Sequence, residues 1–362
     1  MNKLRTSGLL AVAIGTLAVA LIWALSGRAS ERPPERAPER TPESASERAP
    51  DSASEHAQAG RGPTLIARTV IGEPAARGHY VFWTDSRASD WAIYGYDVNT
   101  GEEFVVKQLP LGASGLATDG RLLAWVESSA SNSGVIIESI QVYNLSTREE
   151  STVSSSAGSE LDRLALDNGT LYYGNQDMGY LVARDISTGQ EQQVAAGGKE
   201  PVAAGGNVLW TELKQDCDPG PLCHFQFALQ LARSGEYSKA TALTVSSGPN
   251  GFWGYSASGD TAVWADAWWL EGFMIHDLRS GTNKVVSGKA VTSPVVAGDI
   301  VVWAEDATSS PVARCIKGYN TTTGRTWTVV SRIDGRVRAL NILGTKIIYA
   351  VDADLHLTEL GN

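Results

Sequence analysis

The sequence predicts an all-β fold, a seven-bladed β-propeller closed by an N-terminal strand. Three observations carry that expectation: a repeated aromatic signature, a repeated pair of turns, and chain ends that complement one another. The signature is an apolar run ending in an aromatic residue, usually with an acid two positions on. It recurs as Val81-Phe82-Trp83-Thr84-Asp85, Leu123-Ala124-Trp125-Val126-Glu127, Val208-Leu209-Trp210-Thr211-Glu212, Ala262-Val263-Trp264-Ala265-Asp266 and Val301-Val302-Trp303-Ala304-Glu305. Weaker copies end at Tyr173 and Tyr349, and the aromatics lie about 44 residues apart on average, close to the length of one four-stranded blade.

Each unit reads the same way along the chain. A first strand ends at a glycine (Gly78, Gly120, Gly169, Gly206, Gly259, Gly298 or Gly344), and the aromatic strand follows at once. After a loop of variable length comes an alternating strand such as Ala92-Ile93-Tyr94-Gly95-Tyr96-Asp97-Val98. A second turn (Thr100-Gly101, Thr188-Gly189, Ser280-Gly281, Thr323-Gly324) then leads into a last strand such as Glu103-Phe104-Val105-Val106. Short alternating runs bounded by Gly, Asn and Asp are strands joined by hairpins, and no helical stretch supplies a parallel crossover. The seventh copy stops one strand short, after Val337 to Leu343, Lys346 to Val351 and Leu355 to Leu360. An extra strand, Thr64 to Ile71, precedes the first copy. Pairing it as the outer strand of the last blade closes the ring and removes two open sheet edges.

The chain before the repeats divides into a tail (1–8), an apolar segment (9–27) and a linker (28–62), with the propeller over 63–362. No charge falls between Arg5 and Arg28, and Leu9 to Leu25 is long enough to cross a bilayer. The expectation is a single-pass signal anchor; a cleaved signal, cut after Ala29, is the alternative. Arg28, Arg32, Arg36 and Arg40 beyond the span argue by the positive-inside rule for a cytoplasmic propeller. The basic start, the apolar core and a cysteine pair argue instead for a propeller outside the cytoplasm at the cell membrane. Residues 31–58 repeat acids, arginines and prolines with a period of four. Repeated proline forbids a helix and few apolar side chains are present, so this stretch is expected to be an extended, solvated spacer.

The repeated unit, Val-Val-Trp-x-Asp/Glu followed by Ile-x-x-Tyr-Asp-x-x-Thr-Gly, resembles the TolB-like and surface-protein β-propeller repeats of bacteria and archaea over nearly all of 63–362. Phe82-Trp83-Thr84-Asp85 is also similar to the YWTD propellers of lipoprotein receptors, although the other copies depart from that tetrad. The resemblance implies an extracytoplasmic propeller that binds other proteins or envelope components. It carries over no catalytic residue, because these repeats share a scaffold and not a site.

Charge and motifs narrow the function further. The net charge is −10 and the first 60 residues are charge-balanced, so the globular part is acidic and a nucleic-acid partner is not expected. Cys217 and Cys223 flank Asp-Pro-Gly-Pro-Leu, which turns the chain back and suits a disulfide. Metal binding by that pair with His224 lacks a fourth ligand, and no cofactor is indicated. Cys315 falls in a strand and reads as a buried thiol.

The signature aromatics recur at one strand position in every copy and read as packing between blades, with the following acids making repeated hydrogen bonds. Aromatics outside the repeat are more informative. Trp91, Phe252, Trp253, Trp268 and Trp269 fall where blades are linked or where second strands lead to third strands, and all these loops share one face. They form either an apolar platform for a partner or a filling above the blades. Arg163, Glu200, Arg336 and Arg338 are placed at the channel mouth on that face, as an anion-orienting group or a solvated rim. Nucleophile elbows, zinc-binding helices and phosphate loops are missing from the sequence. The leading expectation is a non-enzymatic binding or scaffolding module for a protein or envelope glycan. The alternative is a carbohydrate-active hydrolase or lyase using loop acids such as Glu160, Asp162, Glu200 and Glu271.

Overall fold

The computed structural model describes residues 62–87, 91–131, 134, 136–157, 163–175, 179–217, 223–246, 248, 251–266, 272–287, 292–306 and 313–361. The expected tail, anchor and most of the linker lie outside these residues. No helix among the described residues is long and apolar enough to cross a membrane.

Among the described residues, twenty-eight strands form seven four-stranded antiparallel sheets. Four-residue β1 (Thr64–Ala67) comes first. Blade one is β2 (Val70–Arg77), β3 (Tyr80–Asp85), β4 (Trp91–Asp97) and β5 (Glu102–Leu109). Blade two is β6 (Ala113–Thr118), β7 (Leu122–Ala130), β8 (Ile136–Asn144) and β9 (Glu150–Ala157). Blade three is β10 (Ala165–Asp167), β11 (Thr170–Asn175), β12 (Tyr180–Asp185) and β13 (Glu191–Ala196). Blade four is β14 (Gly198–Ala204), β15 (Asn207–Cys217), β16 (Cys223–Arg233) and β17 (Thr241–Val245). Blade five is β18 (Phe252–Ser258), β19 (Thr261–Asp266), β20 (Gly272–Asp277) and β21 (Asn283–Ser287). Blade six is β22 (Thr292–Ala297), β23 (Ile300–Asp306), β24 (Ala313–Asn320) and β25 (Thr326–Asp334). Blade seven holds β26 (Val337–Leu343), β27 (Lys346–Val351) and β28 (Asp354–Glu359), with β1 as its outer strand.

Neighbouring inner strands touch all the way round, β2 to β6, β6 to β10 and onward to β26, which returns to β2. Closure follows the expected route, with Thr64 opposite Leu357 and Leu65 opposite His356. The closing strand is shorter than expected, however. It ends at Ala67, and Val70 and Ile71 already belong to blade one. Two bonds mark the crossing: the Thr69 hydroxyl donates to Asp85 at 2.5 Å, and the Val70 N–H donates to the Ala353 carbonyl at 3.0 Å.

The core lies between blades. Second strands are buried on both faces, which is why they read as continuous apolar runs rather than alternating ones. Trp83, Trp125, Trp210 and Trp303 are fully buried. Trp303 of blade six packs on Phe273 of blade five with ring centroids 4.9 Å apart, in a cluster with Val263 and Ile275. The expected bonds from indole to the acid two residues on are present as Trp125 to Glu127 at 3.3 Å, Trp210 to Glu212 at 3.0 Å and Trp303 to Glu305 at 3.1 Å. In two blades a glycine lies directly opposite a ring across the sheet, Gly95 opposite Phe104 and Gly318 opposite Trp327. A Cβ on either glycine would come within 2.4 Å of the ring. Cys315 is buried as expected, its thiol 3.7 Å from Glu305.

Candidate binding face at the blade links

Inner strands decide what the ring presents. Each runs from a blade link towards its glycine turn, so one face carries the strand ends that lead into the links and into the second-to-third connections. The other carries the glycine turns and the third-to-fourth connections, which in blade four hold a 3-10 turn (Tyr237–Lys239). Six of the seven inner strands break register near the link end, β10 being the exception. A bulge leaves residues unpaired and re-aims them. In β2 the irregular stretch is Gly72-Glu73-Pro74, in β14 it is Glu200-Pro201, and in β26 it is Arg338. Proline has no N–H to give a ladder and is at home in such stretches. Trp83, Trp125, Trp210 and Trp303 each stand opposite one of these breaks.

Charged groups gather at this end of the ring. Arg163, just before β10, donates from Nη2 to Glu73 Oε1 at 2.8 Å, and both side chains are more than half exposed. Since blade two lies between blades one and three, this pair reaches past it. Glu200 has a left-handed backbone, φ 52°, and its carbonyl accepts a hydrogen bond from the Tyr255 hydroxyl. Burial, with the charge of Glu200 as a lesser cause, pushes the Tyr255 phenol well above its usual range. Arg338 is exposed and donates from Nη1 to the Asp352 carbonyl at 3.0 Å.

A cavity of about 270 Å³ opens between blades one and two, with Ile71, Glu73, Thr84, Trp91, Leu111 and Leu116 in its walls. Trp91 opens β4, half-buried. Gly112, at φ +97°, lies against its six-membered ring, where a Cβ would stand 3.1 Å away. Ile71 and Leu111 are 39% and 51% exposed. Glu73 therefore borders both the cavity and the ion pair with Arg163.

The turn face is different. Arg77 at the end of β2 donates to Asp167 at the end of β10 over 2.6 Å and reaches the Ala203 carbonyl of blade four at 3.5 Å. Asp167 is buried and also accepts from the Gly206 N–H at 2.8 Å and the Gly205 N–H at 3.3 Å. Blades one, three and four are thus tied together across this end of the ring.

Trp91, Arg163, Glu200 and Arg338 all lie at the link face, but of these only Trp91 lines the cavity, and Arg163 reaches it indirectly, through its ion pair with the lining residue Glu73. Phe252 begins β18, half-buried and edge-on to Tyr255, with ring centroids 6.3 Å apart. The backbone of Trp253 forms the irregular step in β18, and its side chain lies outside the described residues. Trp268 and Trp269 lie wholly outside them, as do Glu160, Asp162 and Glu271. Cys217 and Cys223 stand directly opposite at the ends of β15 and β16; their side chains are not described, and no disulfide is seen among the described residues. Glu73 was not among the sequence candidates. The available signal was Glu-Pro, at 73–74 and again at 200–201, in the same place of two blades.

These features define a closed, seven-bladed β-propeller with a recessed cavity on its link face. No protein-family model matches the chain, and no curated protein matches it in sequence. Solved structures are similar in fold. The β-propeller domain of the Trilobed protease from Pyrococcus furiosus, described as having an open velcro topology, is 11% identical over 83% of this chain and 95% of that one, with a TM-score of 0.58. An oligogalacturonate lyase in complex with manganese is 14% identical over 81% of this chain and 89% of that one, with a TM-score of 0.54. The acylaminoacyl peptidase of Pyrococcus horikoshii is 12% identical over 81% of this chain, with a TM-score of 0.56, and this chain covers 51% of it. Identities this low establish the propeller fold alone.

Proposed function

We propose that this chain is a TolB-like, extracytoplasmic binding or scaffolding propeller, tethered to the cell membrane by residues 9–27 and spaced from it by residues 28–62. Its link face takes a protein or an envelope glycan, without turnover. The observation that supports this reading is the asymmetry of the two faces. Arg77 and Asp167 tie blades together at the turn face, whereas the link face offers the Trp91 cavity and exposed Arg163, Glu200 and Arg338. Trp253, Trp268 and Trp269, with Phe252, are proposed as a second apolar contact on the same face, and Cys217 with Cys223 as a disulfide suited to an oxidising space.

The second reading is a carbohydrate-active hydrolase or lyase. It draws on Glu73 and Glu200 at one mouth and on the lyase among the similar folds. Soluble propeller (residues 62–362) incubated with an envelope extract separates the two. Saturable capture of a protein or glycan, reduced by the double change Trp268→Ala/Trp269→Ala with no product accumulating, supports the binding module. Time-dependent release of unsaturated or reducing sugar ends, lost in Glu200→Gln, overturns it. Export predicts that a C-terminal phosphatase fusion is active only if folded outside the cytoplasm, and that intact-mass measurement finds Cys217 and Cys223 oxidised.

A further inference from the structure

We propose that the cavity between blades one and two receives the C-terminal residue of a partner protein, its apolar side chain against Trp91 and its terminal carboxylate on Arg163. This rests on the reading of the link face as a binding surface and names what it would bind.

The walls favour an apolar side chain. Ile71 and Leu111 leave large parts of their side chains in water at the cavity, beside the half-buried indole of Trp91. Hydroxyls come from Thr84, Ser114 and Ser128, and Thr84 is already engaged with the Ala113 carbonyl at 3.4 Å. Four of the lining side chains, Ile71, Trp91, Leu111 and Leu116, are large and apolar. The volume, about 270 Å³, lies just under the usual range for whole small-molecule sites and suits one side chain.

The charge comes through Glu73, a lining residue paired with Arg163. Arg163 reaches Glu73 at 2.8 Å with both side chains largely in water, and an exposed pair of this kind contributes little to stability. A carboxylate arriving from a ligand can take the place of Glu73 at low cost. The planar guanidinium then holds it through two parallel hydrogen bonds. Glu73, set out of register in the irregular stretch of β2, thus acts as an internal stand-in for the missing terminus.

The test uses the soluble propeller and a labelled decapeptide ending in Leu, as free acid or as amide, followed by fluorescence polarisation. Saturable binding of the acid is expected, weakened about tenfold or more by the amide and by Arg163→Ala, as a lost charge-assisted bond requires. Glu73→Gln is expected to bind at least as tightly as the parent, since it frees the guanidinium. Unchanged melting temperatures in both variants keep folding out of the comparison. Equal binding of acid and amide, no binding of either, a loss in Glu73→Gln matching that in Arg163→Ala, or displacement by an oligouronate would each overturn the proposal. If Arg163→Ala still captures its partner from an envelope extract, this inference fails while the wider reading stands. If the parent captures nothing, the wider reading fails as well.

Discussion

A glutamate two residues beyond a buried tryptophan reaches back to the indole, whereas Asp85 at the same place does not. Glu127, Glu212 and Glu305 accept from their tryptophans. Asp85, one methylene shorter, is taken up by Thr69 and by Arg87 at 2.7 Å, and Trp83 Nε1 is left buried with no partner among the described residues. Burial works against the charged form of Asp85, yet those hydrogen bonds and the charge of Arg87 hold its carboxyl below the usual range. Glu305 shows how much such an acid carries. It is 6% exposed and accepts from Trp303, Lys317 and the Cys315 thiol. Glu305→Ala is expected to lose roughly 1–3 kcal/mol, because the buried Trp303 indole N–H is left unpaired while Lys317, 31% exposed, can turn to water. Glu305→Gln, which keeps an acceptor, is expected to lose clearly less. Urea unfolding of both variants decides, and a loss below about 1 kcal/mol in the alanine variant would show that the network adds nothing net. The repeated acids were legible in the sequence as structural. The split between Asp and Glu was not, because side-chain reach matters only once the neighbouring cation and hydroxyl are in place.

At the scale of the element, closure depends on β1, four residues paired to β28 on one side. His356 sits at that seam, opposite Leu65 and stacked on Tyr349 with centroids 5.1 Å apart. Burial lowers its pKa from the ordinary 6.5, and the charge of Asp354 opposes that only in part. The unfolded chain therefore takes up a proton at a higher pH than the folded one does. The stability this contributes is complete above the unfolded value and is lost as pH falls through the folded value. Between about pH 7 and pH 5, where carboxylates held low are still ionised, the urea midpoint of the parent is expected to fall, and that of His356→Gln to fall markedly less. The same slope in both proteins would remove His356 as the cause. Hairpins, glycine turns and the seventh blade's missing strand were readable because each leaves a local pattern of period two or a turn residue. The end of β1 and the breaks in the inner strands were not. The former depends on Thr69 and Val70 finding partners in other strands, and the latter alter pairing without altering which residues are apolar.

At the scale of the whole molecule, blades one and three are braced twice. Glu73 meets Arg163 and Arg77 meets Asp167, each pair separated by 90 residues and formed between the same two blades at opposite ends of the inner strands. Neither pairing leaves a trace in local sequence, since partners two repeats apart share no turn and no strand. The two braces are unequal. Asp167 is 3% exposed and held by the Gly205 and Gly206 N–H groups, so removing its cation leaves a buried charge; Arg77 is 33% exposed, which tempers the cost. Arg77→Ala is expected to lose about 2–3 kcal/mol, below the full value for a buried pair because of that exposure. Arg163→Ala, at the open end, is expected to lose no more than about 1 kcal/mol. Double-mutant cycles in urea on the two pairs separate intrinsic loss from coupling. A coupling energy at Glu73/Arg163 as large as that at Arg77/Asp167 would mean that the link-face pair is a structural clamp rather than one a ligand can open. The reverse order leaves the turn face held shut and the link face free to exchange its internal carboxylate for another.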